Sequence, residues 1–266
     1  MSEIINGVGK WCFRVPRPYW VDDGVLAKAQ SHEYSFPSSH SQIVWALATF
    51  FNNTRKWGAA QLGAFATCVS LSRVYEGVHY PRDIICGGVA GIVLARTHMV
   101  LQPRFVAALK AKSFATKLGC LQIFTALFAV LLWWGHRQAS GHQPKPEWVE
   151  RVRKNRRGKQ QELTPVDVPL QSYVGMLGVL SGLSTVAAVG FDKSTPHHMR
   201  LPRSRQALLA RFFLGQATLL ASFFGIRAAT PKSPGTLNFL LRFLRYKYVP
   251  IHIVLVAPKL FKVLGI

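Results

Sequence analysis

Three short segments near the start of the chain carry side chains suited to gripping and attacking a phosphoryl group. Lys10, and after six residues Arg17 followed by Pro18, place two cations beside a proline-stiffened bend, where they match the equatorial oxygens of a phosphoryl group in transfer. Pro37-Ser38-Ser39-His40 precedes an apolar run opening near Ser41. Hydroxyls and unsatisfied backbone N–H groups therefore gather at a helix N-terminus, with His40 beside them. Ser72-Arg73 supplies a third cation, His79 follows after five residues, and Asp83 stands one helical turn further on. A carboxylate so placed can fix an imidazole tautomer and stabilise its cation. Singly, each segment also has an ordinary structural reading: an N-cap with a surface histidine, a loop Arg-Pro, a helical i,i+4 pair. In this order, at the ends of apolar segments, they can meet at one face and form one site.

The elements that must position them are apolar and helical. Of 266 residues, 49% are hydrophobic and only 17% charged, against about 25% charged in an ordinary soluble domain. Leu118 to Trp134, Val168 to Phe191 and Phe212 to Ile226 contain no charge and approach or reach the length of a membrane span. Soluble helices of that length show a polar face, and these do not. Shorter uncharged stretches at Tyr34 to Thr54, Trp57 to Ser72, Ile84 to Ala95 and Tyr248 to Pro258 read as protein-buried or snorkelling helices.

Lys and Arg number 33 against 11 Asp and Glu, a formal charge of +22 that must face anions. Nucleic acid is disfavoured as the partner, because basic and aromatic residues are not interleaved on a polar surface. The bilayer and a phosphate-bearing lipid remain. Cys12, Cys68, Cys86 and Cys120 lie far apart without ligand spacing, so they read as small buried hydrophobes rather than a disulfide or zinc framework. The N-terminus lacks the apolar core of a secretory signal, so membrane entry depends on the later helices. Oligomeric state leaves no signal.

The chain divides at about residue 102. Residues 1–33 are aromatic, basic and proline-rich and read as a loop, with a short helix at Val21 to Gln30. Residues 34–102 form a helical hairpin plus one helix, completing a catalytic core over 1–102. Residues 103–266 carry the C-terminal membrane helices, interrupted by a basic loop near 145–159 that includes Arg151, Arg153, Arg156 and Arg157. Helices near 41–54 and 57–72 cross out and back, with the turn Thr54-Arg55-Lys56 opposite the site. Arg96, Arg104, Lys110, Lys112 and Lys117 also fall opposite it, which by the positive-inside rule puts the site on the lumenal or external face. If Leu118 to Trp134 crosses once, the 145–159 loop lies on the site's own side.

Together, K-x6-RP, PSxH and SR-x5-H-x3-D resemble the motifs of the type 2 phosphatidic acid phosphatase (PAP2) superfamily, from Lys10 to Asp83 and more weakly to Gly91. Within it, EYSFPSSH and SRVYEGVHYPRDIICG are most similar to sphingosine-1-phosphate phosphatases. The resemblance implies an all-α, polytopic membrane helical bundle with a PAP2-type phosphatase core. It implies hydrolysis of a lipid phosphate monoester, sphingosine-1-phosphate-like or phosphatidate-like, in the endoplasmic reticulum membrane, with no metal and no cofactor. His79 would be the nucleophile forming a phosphohistidine, Asp83 would orient it, and His40 would protonate the leaving alkoxide and later activate water. Lys10, Arg17, Arg73, Ser38 and the Ser39 backbone would hold the phosphoryl oxygens. The alternatives are a polyprenyl, dolichyl-type diphosphate phosphatase and a non-catalytic lipid-binding scaffold; intact His40, His79 and Asp83 argue against the scaffold. Two departures stand out. Ser39 replaces a glycine, which requires an ordinary negative φ there. Only nine residues precede Lys10, where the family generally carries one or more membrane helices, so a shortened form or a late start is expected.

Overall fold

The computed structural model describes residues 1–28, 31–53, 58–155, 163–190, 204–231 and 235–265, and every regular element among them is helical. In chain order these are α1 (Ser2–Phe13), α2 (Pro18–Val21), α3 (Ser39–Asn53), α4 (Ala59–Tyr75), α5 (Pro81–Lys110), α6 (Phe114–Ala139), α7 (Pro146–Asn155), α8 (Asp167–Gly190), α9 (Arg205–Ala229), α10 (Thr236–Ile251) and α11 (Ala257–Val263). A π-helical turn, His252–Val256, joins the last two. Four stretches are long and apolar enough to cross a bilayer: Pro81–Lys110, Phe114–Ala139, Pro169–Gly190 and Arg205–Ala229. The protein is a multi-pass membrane protein.

Three of those spans coincide with the uncharged blocks of the sequence, whereas α5 outruns its own. The uncharged stretch stops at Ala95, yet the helix continues through Arg96, Pro103 and Arg104 to Lys110. Arginine permits this because its aliphatic stem lies along the helix while its charge reaches the interface.

The chain forms two compact units, Met1–Val106 with Val130–Leu170 and Ala107–Ala129 with Gln171–Ile266. In the first, α3 and α4 form the expected hairpin around Val44, Ala48 and Ala66, with Trp45, Leu62 and Val69 packed against them. The seam is narrow. Phe65 and Leu71 stand exposed on α4, so these two helices are not protein-buried as their sequence suggests but turn an apolar face outward, as lipid requires. Residues 54–57, which include the turn Thr54-Arg55-Lys56, lie outside the described residues.

α5 packs on α3 through glycines one turn apart. A Cβ on Gly87 would lie 2.4 Å from the Ser38 carbonyl oxygen, and one on Gly91 2.1 Å from that of Gln42. Backbones can approach this closely only without side chains, as in small-residue seams between membrane helices. The seam brings the start of α5, which carries Asp83, against the start of α3, which carries His40. Gly91→Ala is expected to force the helices apart and to lower both thermal stability in detergent and activity; retention of both would show that the seam has slack.

The N-terminal zone departs from expectation. Past Val21, which ends α2, residues 22–28 do not form the expected helix, and residues 29–30 lie outside the described residues; Asp22 Oδ1 accepts a hydrogen bond from the Gly24 N–H at 2.8 Å and turns the chain. The helix forms earlier, as α1, because Ile4, Val8 and Trp11 share one face and are all buried. Lys10 therefore sits on a helix rather than at a bend. The α7 segment packs beside α2: Trp148 and Trp20 have ring centroids 6.2 Å apart, and Arg151 Nε lies 3.4 Å from Asp23 Oδ1. The basic segment near 145–159 is thus helical over Pro146–Asn155 rather than a loop, and the chain itself supplies a counter-charge to Arg151. Arg156, Arg157 and Lys159 lie outside the described residues. The cysteines are also corrected: Cys12, Cys68 and Cys86 are exposed, on outward helix faces.

In the second unit α6 and α8 are joined by polar contacts, Gln122 with Ser181 and Thr185, and Thr125 with Ser184. The backbones of α8 and α10 meet at Gly178 and Gly182.

Candidate active site

The α1 stripe that buries Trp11 also turns Lys10 inward, where its side chain is only 2% exposed. Its ammonium donates to Glu33 Oε2 at 2.5 Å. Burial lowers the Lys10 pKa, and the Glu33 carboxylate opposes that shift, so Glu33 helps keep the cation charged.

Arg17 has extended backbone and stands just before α2. Pro18 can open that short helix because its missing N–H is not needed there. The Arg17 guanidinium is held on all sides: Nε donates to the Glu33 carbonyl at 2.6 Å, Nη1 to the Val78 carbonyl at 2.9 Å and Nη2 to Ser31 Oγ at 2.9 Å. Nη1 also lies 3.4 Å from His79 Nε2.

His79 sits in the loop between α4 and α5, 3% exposed. Its Nδ1 faces Ser35 Oγ at 3.3 Å and Asp83 Oδ2 at 3.5 Å, with Asp83 in the first turn of α5. Asp83 is itself fixed, since Oδ2 accepts from the Ser35 hydroxyl at 2.5 Å and from the Tyr80 N–H at 2.9 Å. A carboxylate beside Nδ1 selects the Nδ1–H tautomer and leaves the Nε2 lone pair pointing toward Arg17. Burial, joined by the Arg17 and Lys10 charges and opposed by Asp83, holds the His79 pKa down at about 3. The imidazole is therefore neutral at physiological pH.

This has a consequence for stability. The folded state keeps His79 unprotonated while the unfolded chain protonates it below about 6.5, so stability falls as pH drops from about 6.5 toward about 3. His79→Gln is expected to flatten the acid side of the thermal stability profile in detergent; an unchanged acid slope would place the sensitivity elsewhere.

His40 is the second residue of α3 and is exposed. The charges of Arg73, Lys10, Arg17 and Glu76 all act on it, which puts the cations of the three motifs around one point. Partial burial first, then those cations, lowers its pKa, while Glu76 raises it. Ser38 is fully buried; its N–H donates to the Asp83 carbonyl at 3.1 Å and its hydroxyl accepts from Ser41, so it ties α3 to α5. Ser39 opens α3 with an ordinary φ, which satisfies the requirement that its side chain imposes. As first-turn donors, the Ser39 and His40 N–H groups have no intrahelical acceptor. Arg73 closes α4; its guanidinium donates to Ser72 Oγ at 3.0 Å and to Glu76 Oε1 at 2.8 Å.

The structure thus gathers Lys10, Arg17, His40, Arg73, His79 and Asp83, and adds three residues that the motif reading passed over. Glu33 and Glu76 each pair with one of the cations, and Ser35 braces Asp83. Their positions held a signal: Glu33-Tyr34-Ser35 ends one residue before the PSSH segment, and Glu76 stands three residues after Arg73. Chemically, the arrangement can receive a phosphate dianion between three cations, in line with a neutral imidazole nitrogen.

A family model described as "PAP2 superfamily" matches residues 1–107, and one described as "PAP2 superfamily phosphatase, transmembrane extension" matches residues 172–266. The chain belongs to the PAP2 superfamily. Among curated proteins, "Glucose-6-phosphatase 3" of Bos taurus is 28% identical over 179 residues, covering 56% of this chain and 52% of the relative. "Undecaprenyl-diphosphatase" of Sulfolobus acidocaldarius is 36% identical over 93 residues, 34% of this chain and 45% of the relative. A putative undecaprenyl-diphosphatase of Escherichia coli is 33% identical over 78 residues, 29% of this chain and 39% of the relative. The chain spans about half or less of the length of these relatives. No solved structure matches it significantly. These relatives carry glucose-6-phosphatase and undecaprenyl-diphosphatase names, and sphingosine-1-phosphate phosphatases are not among them.

Proposed function

We propose that this PAP2 member is a membrane-integral phosphatase that hydrolyses a lipid phosphate monoester, sphingosine-1-phosphate-like or phosphatidate-like, through a phosphohistidine on His79, without a metal ion. The observation that carries the reading is the environment of His79: one ring nitrogen braced by Asp83 and Ser35, the other 3.4 Å from the Arg17 guanidinium. Lys10, Arg17 and Arg73 take the nonbridging phosphoryl oxygens, together with first-turn N–H groups of α3. His79 Nε2 attacks phosphorus as the bond to the ester oxygen breaks. The resulting imidazolium is stabilised by Asp83, and protonated His40 gives its proton to the departing alkoxide. In the second step His40 takes a proton from water, the hydroxide attacks phosphorus, and the P–N bond breaks to release inorganic phosphate and restore His79. The incoming dianion favours protonation of His40, which offsets the opposing field of the three cations.

Positioning by Ser35 is separable from attack. Ser35→Ala removes a brace on Asp83 without touching the phosphoryl group, so kcat should fall about tenfold, or ~1.4 kcal/mol, with KM little changed. An equal loss in kcat/KM carried entirely by KM would instead make Ser35 a binding residue.

The membrane spans favour a lipid ester over a soluble one, and the basic end of α5, with Arg96, Arg104 and Lys110, supports a lumenal site in the endoplasmic reticulum membrane. A second reading, hydrolysis of a polyprenyl diphosphate, rests on the likeness to the Sulfolobus acidocaldarius undecaprenyl-diphosphatase over the motif region. The test is phosphate release in detergent from sphingosine-1-phosphate, phosphatidate, glucose-6-phosphate and a polyprenyl diphosphate, each with EDTA and with vanadate. Release from the lipid monoesters that resists EDTA and is blocked by vanadate is the expected result, because vanadate can bond to His79 where phosphorus does and fill the oxygen sites of the cations. Preference for the diphosphate would establish the second reading, and EDTA sensitivity would refute the metal-free mechanism.

A further inference from the structure

α10 is built inside out. Leu237, Leu240 and Leu244 form its exposed stripe, while Asn238 and Arg245 are buried and Arg242 is half-buried on the opposite face. In water this pattern would be unstable; in a bilayer it places leucines against acyl chains and a polar stripe inside the bundle. That interior is crowded by its neighbours, since Gly175 of α8 packs on the Tyr246 ring and Gly178 on the Phe243 carbonyl.

Arg245, only 6% exposed, rests 4.8 Å from the Phe223 ring centroid and 5.1 Å from that of Tyr246, and among the described residues it makes no hydrogen bond. Its buried Nε, the Nε of Arg242 and the Oδ1 of Asn238 all lack hydrogen-bond partners among the described residues. Arg242 gives one bond, at 2.9 Å, to Gln171 and lies in the field of both Arg245 and Arg227. The three guanidiniums step inward from Arg227, exposed at the end of α9, through Arg242 to Arg245. The described residues of this unit include no Asp or Glu; between Gln171 and Ile266 the sequence holds one carboxylate, Asp192, outside the described residues. Arginine cannot shed its proton, and buried guanidiniums without an anion are strongly destabilising.

We propose that Arg227, Arg242 and Arg245 form a site for the phosphate of an anionic lipid, distinct in sequence and residues from the hydrolytic motifs. The graded exposure admits a headgroup from the interface past half-buried Arg242 to buried Arg245, while the Leu237, Leu240 and Leu244 stripe lies along the acyl chains. A phosphodiester fills it as well as a monoester, because nothing in the cluster cleaves phosphate.

The test is thermal unfolding of the full chain in neutral detergent, in the His79→Gln background so that turnover plays no part. Phosphatidylglycerol, phosphatidylcholine and inorganic phosphate are titrated separately. Phosphatidylglycerol alone should raise Tm, and the amount needed for half the shift should increase about tenfold or more in Arg242→Gln and Arg245→Met. Arg245→Met should hold or raise the lipid-free Tm, since it removes a buried unpaired charge; Arg242→Gln, at a half-buried position, serves if that variant fails to fold. Equal shifts with phosphatidylcholine, or an undiminished phosphatidylglycerol shift in both variants, would overturn the site. A shift reproduced by inorganic phosphate would overturn the lipid as its source.

Discussion

His79→Ala should abolish phosphate release, to below about one per cent of the wild-type rate. The magnitude follows from the geometry. His79 Nε2 is the nitrogen that faces the Arg17 guanidinium, and the Nδ1 side is committed to Ser35 and Asp83. His40, the other imidazole of the site, is exposed at the start of α3, and the proposed mechanism gives it proton transfer to the leaving group rather than attack. If His79 is the nucleophile as proposed, its removal leaves the cations intact, so substrate binding should persist while turnover is lost, a kcat effect with little change in affinity. Residual turnover well above a per cent would assign attack to another group or to water.

Arg17→Lys should lower kcat/KM by roughly 10²–10³-fold, the scale expected for removing a preorganised donor to a developing oxyanion. The charge is kept, but the fork is not. Arg17 holds the Glu33 and Val78 carbonyls and Ser31 Oγ at once, and a lysine ammonium reaches only part of that set and leaves buried carbonyls without donors. The same change at Arg73, 20% exposed and bonded to its own neighbours Ser72 and Glu76, should cost only about tenfold. The ranking is the measurement: kcat/KM for the two lysine variants side by side. Equal losses would mean that both act only as general positive field.

The motif residues were legible because histidine, arginine and lysine at fixed spacings in an otherwise apolar chain have few structural reasons to be there. Ser35 was not, because its role arises from a bond to Asp83 48 residues away, which nothing in the local sequence signals. Glu33 and Glu76 were passed over for a related reason: the sequence presents the cations as a positive site, and only folding reveals that two of them carry carboxylate partners. The membrane blocks were readable from their lack of charge, yet α5 was underestimated because a snorkelling Arg96 looks like an end. α1 is hard to read in the sequence because Pro16 and Pro18 dominate the local pattern, while the stripe that matters is only Ile4, Val8 and Trp11. The glycine seam at Gly87 and Gly91 has no meaning until α3 is known to lie against it.

Covalent transfer of the phosphoryl group to His79 can be trapped by rapid-quench labelling. The full chain in detergent is mixed with a lipid monoester carrying ³²P, quenched in alkali, digested, and the labelled peptide identified. Label that is stable to base, labile to acid, located on the peptide bearing His79 and absent from His79→Ala is the predicted result. Acid-stable label on a serine or threonine, or full single-turnover release from His79→Ala with no labelled protein, would contradict it.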